Sequence, residues 1–315
     1  MSDVLALRYR PSEWKAVLGQ AAVVRSLRKT VEDGSNRTIL LSGPSGTGKT
    51  TLARIALKEA WGLLVDIQEI DAASFTGIDY MRRVASTFQV KSLSGRPRGV
   101  LLDECHRLST PAFSSLLKPL EEPPEGVWWF LCTTDPAKVP QNIQTRCTKY
   151  SLSSVSKDLL RDHLQWITEE EAVHLGASES EHDSIIDMCV KAAQGSPRAA
   201  IVALGACLGA KTKEEARSLL KQAEIGGAAI ELARALIANP NWDQLLEIIG
   251  SLKDESPESV RHVVRAYVTN VLLNPKSKGG PEKYLAILDA FSQPFGQSEG
   301  ITPLLLACGK LLFAQ

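Results

Sequence analysis

The sequence predicts a parallel α/β sheet domain followed by helices alone. Three observations carry that expectation: a glycine-rich phosphate loop set between an apolar run and a helical pattern, five short apolar runs alternating with helical stretches in the first half, and no strand pattern beyond Leu152.

The first apolar run, Thr38–Leu41, reads as a buried strand, and Gly43-Pro44-Ser45-Gly46-Thr47-Gly48-Lys49-Thr50 follows it. Glycines let backbone N–H groups curl around β- and γ-phosphates, Lys49 neutralises oxygens the backbone does not reach, and the Thr50 hydroxyl suits Mg²⁺. Residues 49–60 place Leu52, Ile55, Ala56 and Ala60 at helical spacing, so a helix N-terminus, with Thr51 in its first turn, faces the phosphates. Strand, loop and helix in this order make an NTP site. Further strands are expected at Val65–Ile70, Gly99–Leu102, Val127–Cys132 and Thr148–Leu152, with helices at 77–90 and 109–121 as crossovers. The third strand runs into Asp103-Glu104-Cys105-His106. Asp103 then lies beside the Mg²⁺ and Glu104 polarises a water for in-line attack on the γ-phosphate, which implies hydrolysis rather than mere binding. The same string fits a DExH-box helicase, but that class needs a second strand-rich half, and residues 151–315 show helical patterns.

Val155-Ser156-Lys157-Asp158 is a helix start, and Gly195-Ser196-Pro197 punctuates the helices that follow. From about Gly226 a further helical block begins, in which Val260, Val263, Val264, Tyr267, Val268 and Val271 share one face. The expected division is 1–153, 154–222 and 223–315. A chain of 315 residues with 44% apolar and 23% charged residues buries a large core in two or three domains. No stretch reaches eighteen apolar residues, Lys310 interrupting the run from Ile301 to Ala314, and the N-terminus lacks a signal-peptide pattern, so a cytosolic protein is expected. Six cysteines without a C-x-x-C pair indicate neither a zinc module nor a disulfide framework, and are expected in the core. Net charge is zero, yet residues 1–150 carry 20 Lys+Arg against 15 Asp+Glu and residues 151–315 carry 16 against 21. A local basic surface on the first half stays open.

Six further strings occur in order: Arg8-Tyr9-Arg10-Pro11 with Gly19-Gln20, Glu69-Ile70-Asp71-Ala72-Ala73-Ser74, Leu116 to Pro124, Thr133-Thr134-Asp135-Pro136, Thr145-Arg146-Cys147, and Gly195-Ser196-Pro197-Arg198. On these the chain resembles, from about residue 4 to about residue 205, a clamp-loader ATPase of the AAA+ superfamily. It is similar both to the bacterial DNA polymerase III gamma/tau subunit and to the small subunits of replication factor C. The resemblance implies an α/β P-loop NTPase (AAA+) domain with a parallel sheet, an all-α lid, and an all-α C-terminal oligomerisation (collar) domain.

It also implies roles. Tyr9, Arg10 and Pro11 lie over the adenine, with Val17 and Leu18 completing an apolar slot; Pro44, Ser45, Gly46, Thr47, Gly48, Lys49, Thr50 and Thr51 hold the phosphates. Thr134 is the sensor for the attacking water or γ-phosphate. Arg146 is an arginine finger, although Thr145 replaces the usual Ser, and Arg198 is the second sensor, brought onto its own site by the lid. The segment Gly77–Arg82 nominates Arg82, Arg83 and Lys91 as DNA contacts, a solvated helix face being the equal alternative. Phe75 and Ile78 are nominated for clamp contact, core packing being the equal alternative. ATP and Mg²⁺ are the implied cofactors. Implied partners are a sliding clamp, primer-template DNA, further copies of the chain and an accessory subunit in a pentameric ring, with no membrane and in the cytosol of a cell or infected host.

The gamma/tau type carries a four-cysteine zinc module between the two nucleotide motifs, and no cysteine stands between Gly43 and Asp103. That compact interval instead looks like a replication factor C small subunit or a virus-encoded loader. Other readings of the same motifs are an AAA+ DNA-remodelling ATPase, such as a branch-migration motor or helicase loader, and an assembly subunit that hardly hydrolyses ATP.

Overall fold

The computed structural model describes residues 2–34, 36–61, 66–72, 78–88, 98–238, 240–253, 255–273, 281–295 and 300–313. Lys91, Phe75 and Gly77 lie outside the described residues. The chain divides into two compact units, residues 1–213 and 214–315.

In the first unit, helices α1 (Ser2–Arg8) and α2 (Ala21–Asp33) precede strand β1 (Thr38–Ser42), and α3 (Lys49–Trp61) follows it. Then come β2 (Asp66–Asp71), α4 (Ile78–Phe88), β3 (Arg98–Asp103), α5 (Thr110–Glu121), β4 (Val127–Thr133), the short α6 (Gln141–Gln144) and β5 (Thr148–Ser151). Among the described residues these strands form one sheet in the order β2-β3-β4-β1-β5, every pair parallel.

Period-two alternation in the central strands feeds two cores. Leu40, Val100, Leu102, Trp129 and Leu131 face α4 and α5, where Met81, Val84, Phe88, Phe113 and Leu116 meet them. Ile39, Leu41, Leu101, Trp128, Phe130 and Cys132 face the opposite way, onto Leu27 and Val31 of α2 and Leu52, Ile55 and Leu57 of α3. A sheet covered on both faces explains why these strands read as continuous apolar runs rather than as alternating ones. Gly99 has a packing reason: a Cβ there would sit 2.7 Å from both Leu57 methyl carbons.

The parallel arrangement puts all strand C-termini at one edge. Ser42 pairs with Thr133 and Leu102 with Leu131, so the chain leaves β1, β3 and β4 at nearly the same level. Loops at that edge are where open parallel sheets bind ligands.

After β5 the unit is helical: α7 (Lys157–Glu170), α8 (Glu179–Ala193) and α9 (Pro197–Cys207). Each is capped by a serine. Ser156, Ser178 and Ser196 accept from the backbone N–H of Leu159, Glu181 and Ala199 at 3.4, 3.3 and 3.2 Å, an interaction worth about 1 kcal/mol per cap. Pro197 opens α9, as the string Gly195-Ser196-Pro197 predicts.

Among the described residues five helices follow: α10 (Lys213–Ala238), α11 (Trp242–Ser251), α12 (Pro257–Leu272), α13 (Pro281–Ala290) and α14 (Thr302–Phe313). Residue 222, where a boundary is expected from sequence, lies inside α10, whose 26 residues run unbroken. Val260, Val264 and Val268 of α12 are fully buried in this unit's core with Leu232, Leu245, Tyr284, Phe291 and Leu304, and Val263, Tyr267 and Val271 pack against it. The apolar stripe on α12 is therefore core. All six cysteines are buried and unpaired as disulfides. No helix among the described residues is long and apolar enough to cross a membrane.

A buried arginine braces the second unit. Arg261 of α12 donates to the Phe291 and Ser292 carbonyls at 3.2 and 3.3 Å and to Glu258 Oε2 at 2.8 Å, while Glu258 accepts from the Phe295 N–H at 2.8 Å. The Arg261 guanidinium and that N–H hold the Glu258 carboxyl down to about 2. Because this folded-state value lies below that of the unfolded chain, the contribution to stability is complete above about pH 4.5 and is lost as pH falls toward 2. Glu258→Gln is expected to lower the melting temperature at pH 7, with the gap to wild type closing as pH is brought from about 4.5 toward 2; thermal melts across that range measure it.

Candidate functional site

The loop after β1 turns because its glycines allow it. Gly43 and Gly46 have φ of +143° and +71°. A Cβ at Gly43 would lie 2.4 Å from the Leu152 carbonyl oxygen, and one at Gly46 would lie 2.1 Å from Ser196 Oγ. The second contact places the loop directly under the start of α9, so α9 closes over it. Together with β3, α1 and α9, the loop lines a cleft of about 410 Å³.

Much of the cleft lining is polar. Ser45, Gly46, Thr47, Gly48, Lys49, Thr50, Thr51, Asp103, Glu104 and Arg198 supply that part. The Lys49 side chain is buried, and its ammonium donates to the Gly43 and Pro44 carbonyls at 2.8 and 2.9 Å. Burial lowers the Lys49 pKa and the Glu104 carboxylate opposes that shift. Thr50 Oγ1 donates to Asp103 Oδ2 at 2.8 Å, a hydroxyl and a carboxylate side by side. Hard oxygen donors so placed, beside a loop shaped for phosphate, fit Mg²⁺ carried with a nucleotide. Arg10 also lines the cleft, donating to Thr51 Oγ1 at 3.1 Å; burial first and Arg54 second lower its pKa.

Glu104 sits just past β3 with φ +49°, a left-handed backbone unusual for a residue with a Cβ. That conformation turns its side chain toward the end of β4. Thr134 Oγ1 donates to Glu104 Oε2 at 3.0 Å, and His106 Nδ1 stands 3.3 Å from the same oxygen and 3.0 Å from Thr133 Oγ1. Burial lowers the His106 pKa, with Glu104 opposing. Thr134 itself is absent from the cleft lining and reaches the site through Glu104.

The rest of the lining is largely apolar and comes mainly from α1 and the arm that follows it. Ala6, Leu7, Tyr9, Pro11, Ala16, Val17, Leu18, His163 and Ile201 belong to it, so Tyr9, Pro11, Val17 and Leu18 line one cleft. Tyr9 is held differently from a free flat ring. Its edge meets Trp166 of α7 with centroids 5.5 Å apart, and its hydroxyl donates to Glu171 at 2.7 Å, beside an Arg8–Glu171 ion pair at 2.6 Å. Burial foremost, with Glu171, pushes the Tyr9 phenol up to about 12. Sequence reasoning missed Glu171, Trp166, His163, His106 and Thr133. Of these, His106 and Thr133 stand inside strings already singled out, whereas His163 and Trp166 on α7 and Glu171 just past it carry no local signal.

Three nominated arginines lie away from the cleft lining. Arg146 Nε and Nη2 donate to Glu121 Oε2 at 3.0 and 2.8 Å, and Nη1 donates to the Asn142 carbonyl at 2.6 Å. Arg82 is exposed on α4 with Asp79 at 3.7 Å, and Arg83 stands 5.9 Å from the Tyr80 ring centroid.

The family model and the curated relatives that match this chain are both subunits of DNA polymerase III. The family model described as DNA polymerase III, delta subunit, matches residues 62–156. The DNA polymerase III subunit tau of Escherichia coli is 32% identical over 287 residues, covering 83% of this chain and 41% of that protein. The tau/gamma subunit of Haemophilus influenzae is 34% identical over 218 residues, covering 62% and 31%, and a Buchnera aphidicola gamma subunit is 32% identical over 193 residues, covering 54% of each. The chain thus spans between about a third and about half of the length of these curated relatives. Among solved structures, the Thermotoga maritima RuvB Holliday junction branch migration motor aligns with a TM-score of 0.51 at 20% identity, covering 96% of this chain and 91% of that one. A point variant of the same RuvB gives 0.56 at 18% identity over 77% and 85%. At such identity the likeness shows fold alone. The chain has the AAA+ fold, with helices after the sheet domain, and is related to the tau and gamma subunits of DNA polymerase III.

Proposed function

We propose that the chain is an ATP-hydrolysing subunit of a sliding-clamp loader, which opens a clamp and places it on primer-template DNA. The observation that carries this reading is the paired contact at the cleft, Thr50 with Asp103 and Thr134 with Glu104, beneath a lid helix presenting Arg198. Similarity to DNA polymerase III tau and gamma subunits supports the replication context.

Each residue has a task in this reading. Backbone N–H groups of residues 44–50 cradle the phosphates, and Lys49 leaves the Gly43 and Pro44 carbonyls for the β- and γ-oxygens. Thr50 and Asp103 would hold Mg²⁺, which supplies charge neutralisation at the phosphates when bound. Glu104 orients a water and takes its proton as the water oxygen bonds to the γ-phosphorus and the bond to the bridging oxygen breaks, leaving ADP and phosphate. Arg198 senses the phosphates from the lid. The base lies against Val17 and Leu18 and under the arm carrying Tyr9, Arg10 and Pro11.

Arg146 acts on a neighbouring copy's site, so hydrolysis waits for assembly of a ring with further copies and an accessory subunit. The helices after residue 213 supply that assembly. Arg82 and Arg83 on the exposed face of α4, with Lys91, contact DNA phosphates in this reading. The protein works in the cytosol. Full ATPase stimulation is expected to need clamp and primed DNA together, and stimulation by DNA alone would favour a different remodelling ATPase.

Lys49→Ala is expected to abolish nucleotide binding, whereas Glu104→Gln retains Asp103 and should bind ATP at wild-type affinity while turnover fails. Titration with a fluorescent ATP analogue and single-turnover hydrolysis separate them, and equal loss of affinity in both would overturn these roles. Arg82→Glu should weaken primer-template binding and flatten its salt dependence, leaving basal ATPase intact; unchanged affinity across a salt series would return Arg82 to a solvated face. Arg146→Ala should bind ATP normally and lose stimulated hydrolysis by roughly 10³-fold. Mixing it with Lys49→Ala subunits should restore partial activity, since some interfaces then join an intact site to an intact finger. Full activity in Arg146→Ala alone, or loss of its ATP binding, would refute action in trans.

A further inference from the structure

We infer that His106 is a positioning residue that holds the Glu104 carboxylate through its Nδ1–H. The inference rests on the proposed ATPase reading and adds a residue to it.

Two contacts meet at one oxygen, and a third shares the imidazole nitrogen. Glu104 Oε2 accepts from Thr134 Oγ1 at 3.0 Å and lies 3.3 Å from His106 Nδ1, and that nitrogen also lies 3.0 Å from Thr133 Oγ1. The tautomer follows from charge. A ring lone pair aimed at a carboxylate oxygen would be repelled, whereas an N–H is attracted, so the proton belongs on Nδ1. Thr133 Oγ1 already accepts the Asp135 N–H at 3.0 Å and has a second lone pair for the imidazole. His106 Nδ1–H is thereby lodged between two oxygens on neighbouring segments of β4 and β3.

Local backbone makes this possible. A single 3₁₀ turn over Cys105–Arg107 follows Glu104, with the Arg107 N–H donating to the Glu104 carbonyl at 2.9 Å. Glu104 has its left-handed φ at the start of that turn, so its side chain and that of His106 reach the same place. The imidazole is well shielded, its side chain 11% exposed against 31% for Glu104. Thr134 donates to Oε2 and the Nδ1–H stands 3.3 Å from the same oxygen, so together they restrain the carboxylate. A general base must hold its angle as well as its distance, and a misplacement of about 1 Å costs on the order of 10²-fold in rate.

Replacement separates this role from simple packing. Asn offers an amide N–H near the position of Nδ1, Gln offers one farther out, and Ala offers none. His106→Ala is expected to lower kcat for ATP about 10-fold or more while KM and ATP affinity stay within about twofold, and His106→Asn should recover most of the loss, with Gln recovering less. Thermal melts accompany each variant; if His106→Ala does not fold, the Asn and Gln pair decides alone, since a donor role ranks Asn above Gln. Unchanged kcat in His106→Ala, or equal impairment in Asn and Gln, would overturn the inference. Wild type and Glu104→Gln are measured in parallel. Should wild type turn over no faster than Glu104→Gln, the ATPase reading itself fails; should Glu104→Gln be dead and His106→Ala fully active, only the role of His106 falls.

Discussion

The hydrogen bond from Thr50 to Asp103 is the contact on which the site depends, because it joins the first turn of α3 to the last residue of β3. In the sheet, β1, which leads through the loop into α3, is separated from β3 by β4, which pairs with both. A one-residue slip in either pairing would turn Asp103 or Thr133 to the opposite face of the sheet. Register is fixed by burial: Leu101, Trp128 and Phe130 go to one core, Leu102, Trp129 and Leu131 to the other. The chemistry at the strand ends is thus positioned by apolar side chains several residues upstream.

Closure above the loop has a comparable physical basis. Gly46 and Ser196 approach so closely that a methyl group between them has no room, and α1 packs on α9. The arm after α1 is tied to the end of α7 through Arg8, Tyr9 and Glu171. Arm and lid helices therefore share partners, and both line the same cleft. A molecule filling the cleft against the arm would touch α9 as well, so in the proposed function base binding is coupled to the position of α9.

How much of this was legible in the sequence follows from what leaves a local trace. The loop from Gly43 to Thr50 encodes its own backbone, and Ser156 and Ser196 mark helix starts where the structure has them. Strand β3 was legible as an apolar run at 99–102, and the structure extends it to Arg98 and Asp103, since the ladder continues into polar residues paired with β2. Long-range polar pairing was not legible. Glu171 meets Tyr9 across 162 positions, and nothing in the spacing of either marks the other. His106 is intermediate: the residue stands in the motif, but only the 3₁₀ turn and the left-handed Glu104 bring its ring to the carboxylate.

Arg146 shows how an exposed ion pair can prepare a residue without committing it. Its guanidinium is oriented by Glu121 and the Asn142 carbonyl, with side chains 28% and 57% exposed for Arg146 and Glu121. A pair so open to water contributes at most about 1 kcal/mol, because solvent screens the attraction and competes for both partners. Such a bond restricts the rotamers of a long side chain, yet yields readily to a stronger anion. The γ-phosphate of a neighbouring site carries more charge than one carboxylate and offers more acceptor oxygens. In the proposed mechanism, then, Glu121 keeps Arg146 in place on the isolated subunit at little energetic cost, and assembly supplies the ligand that draws it away.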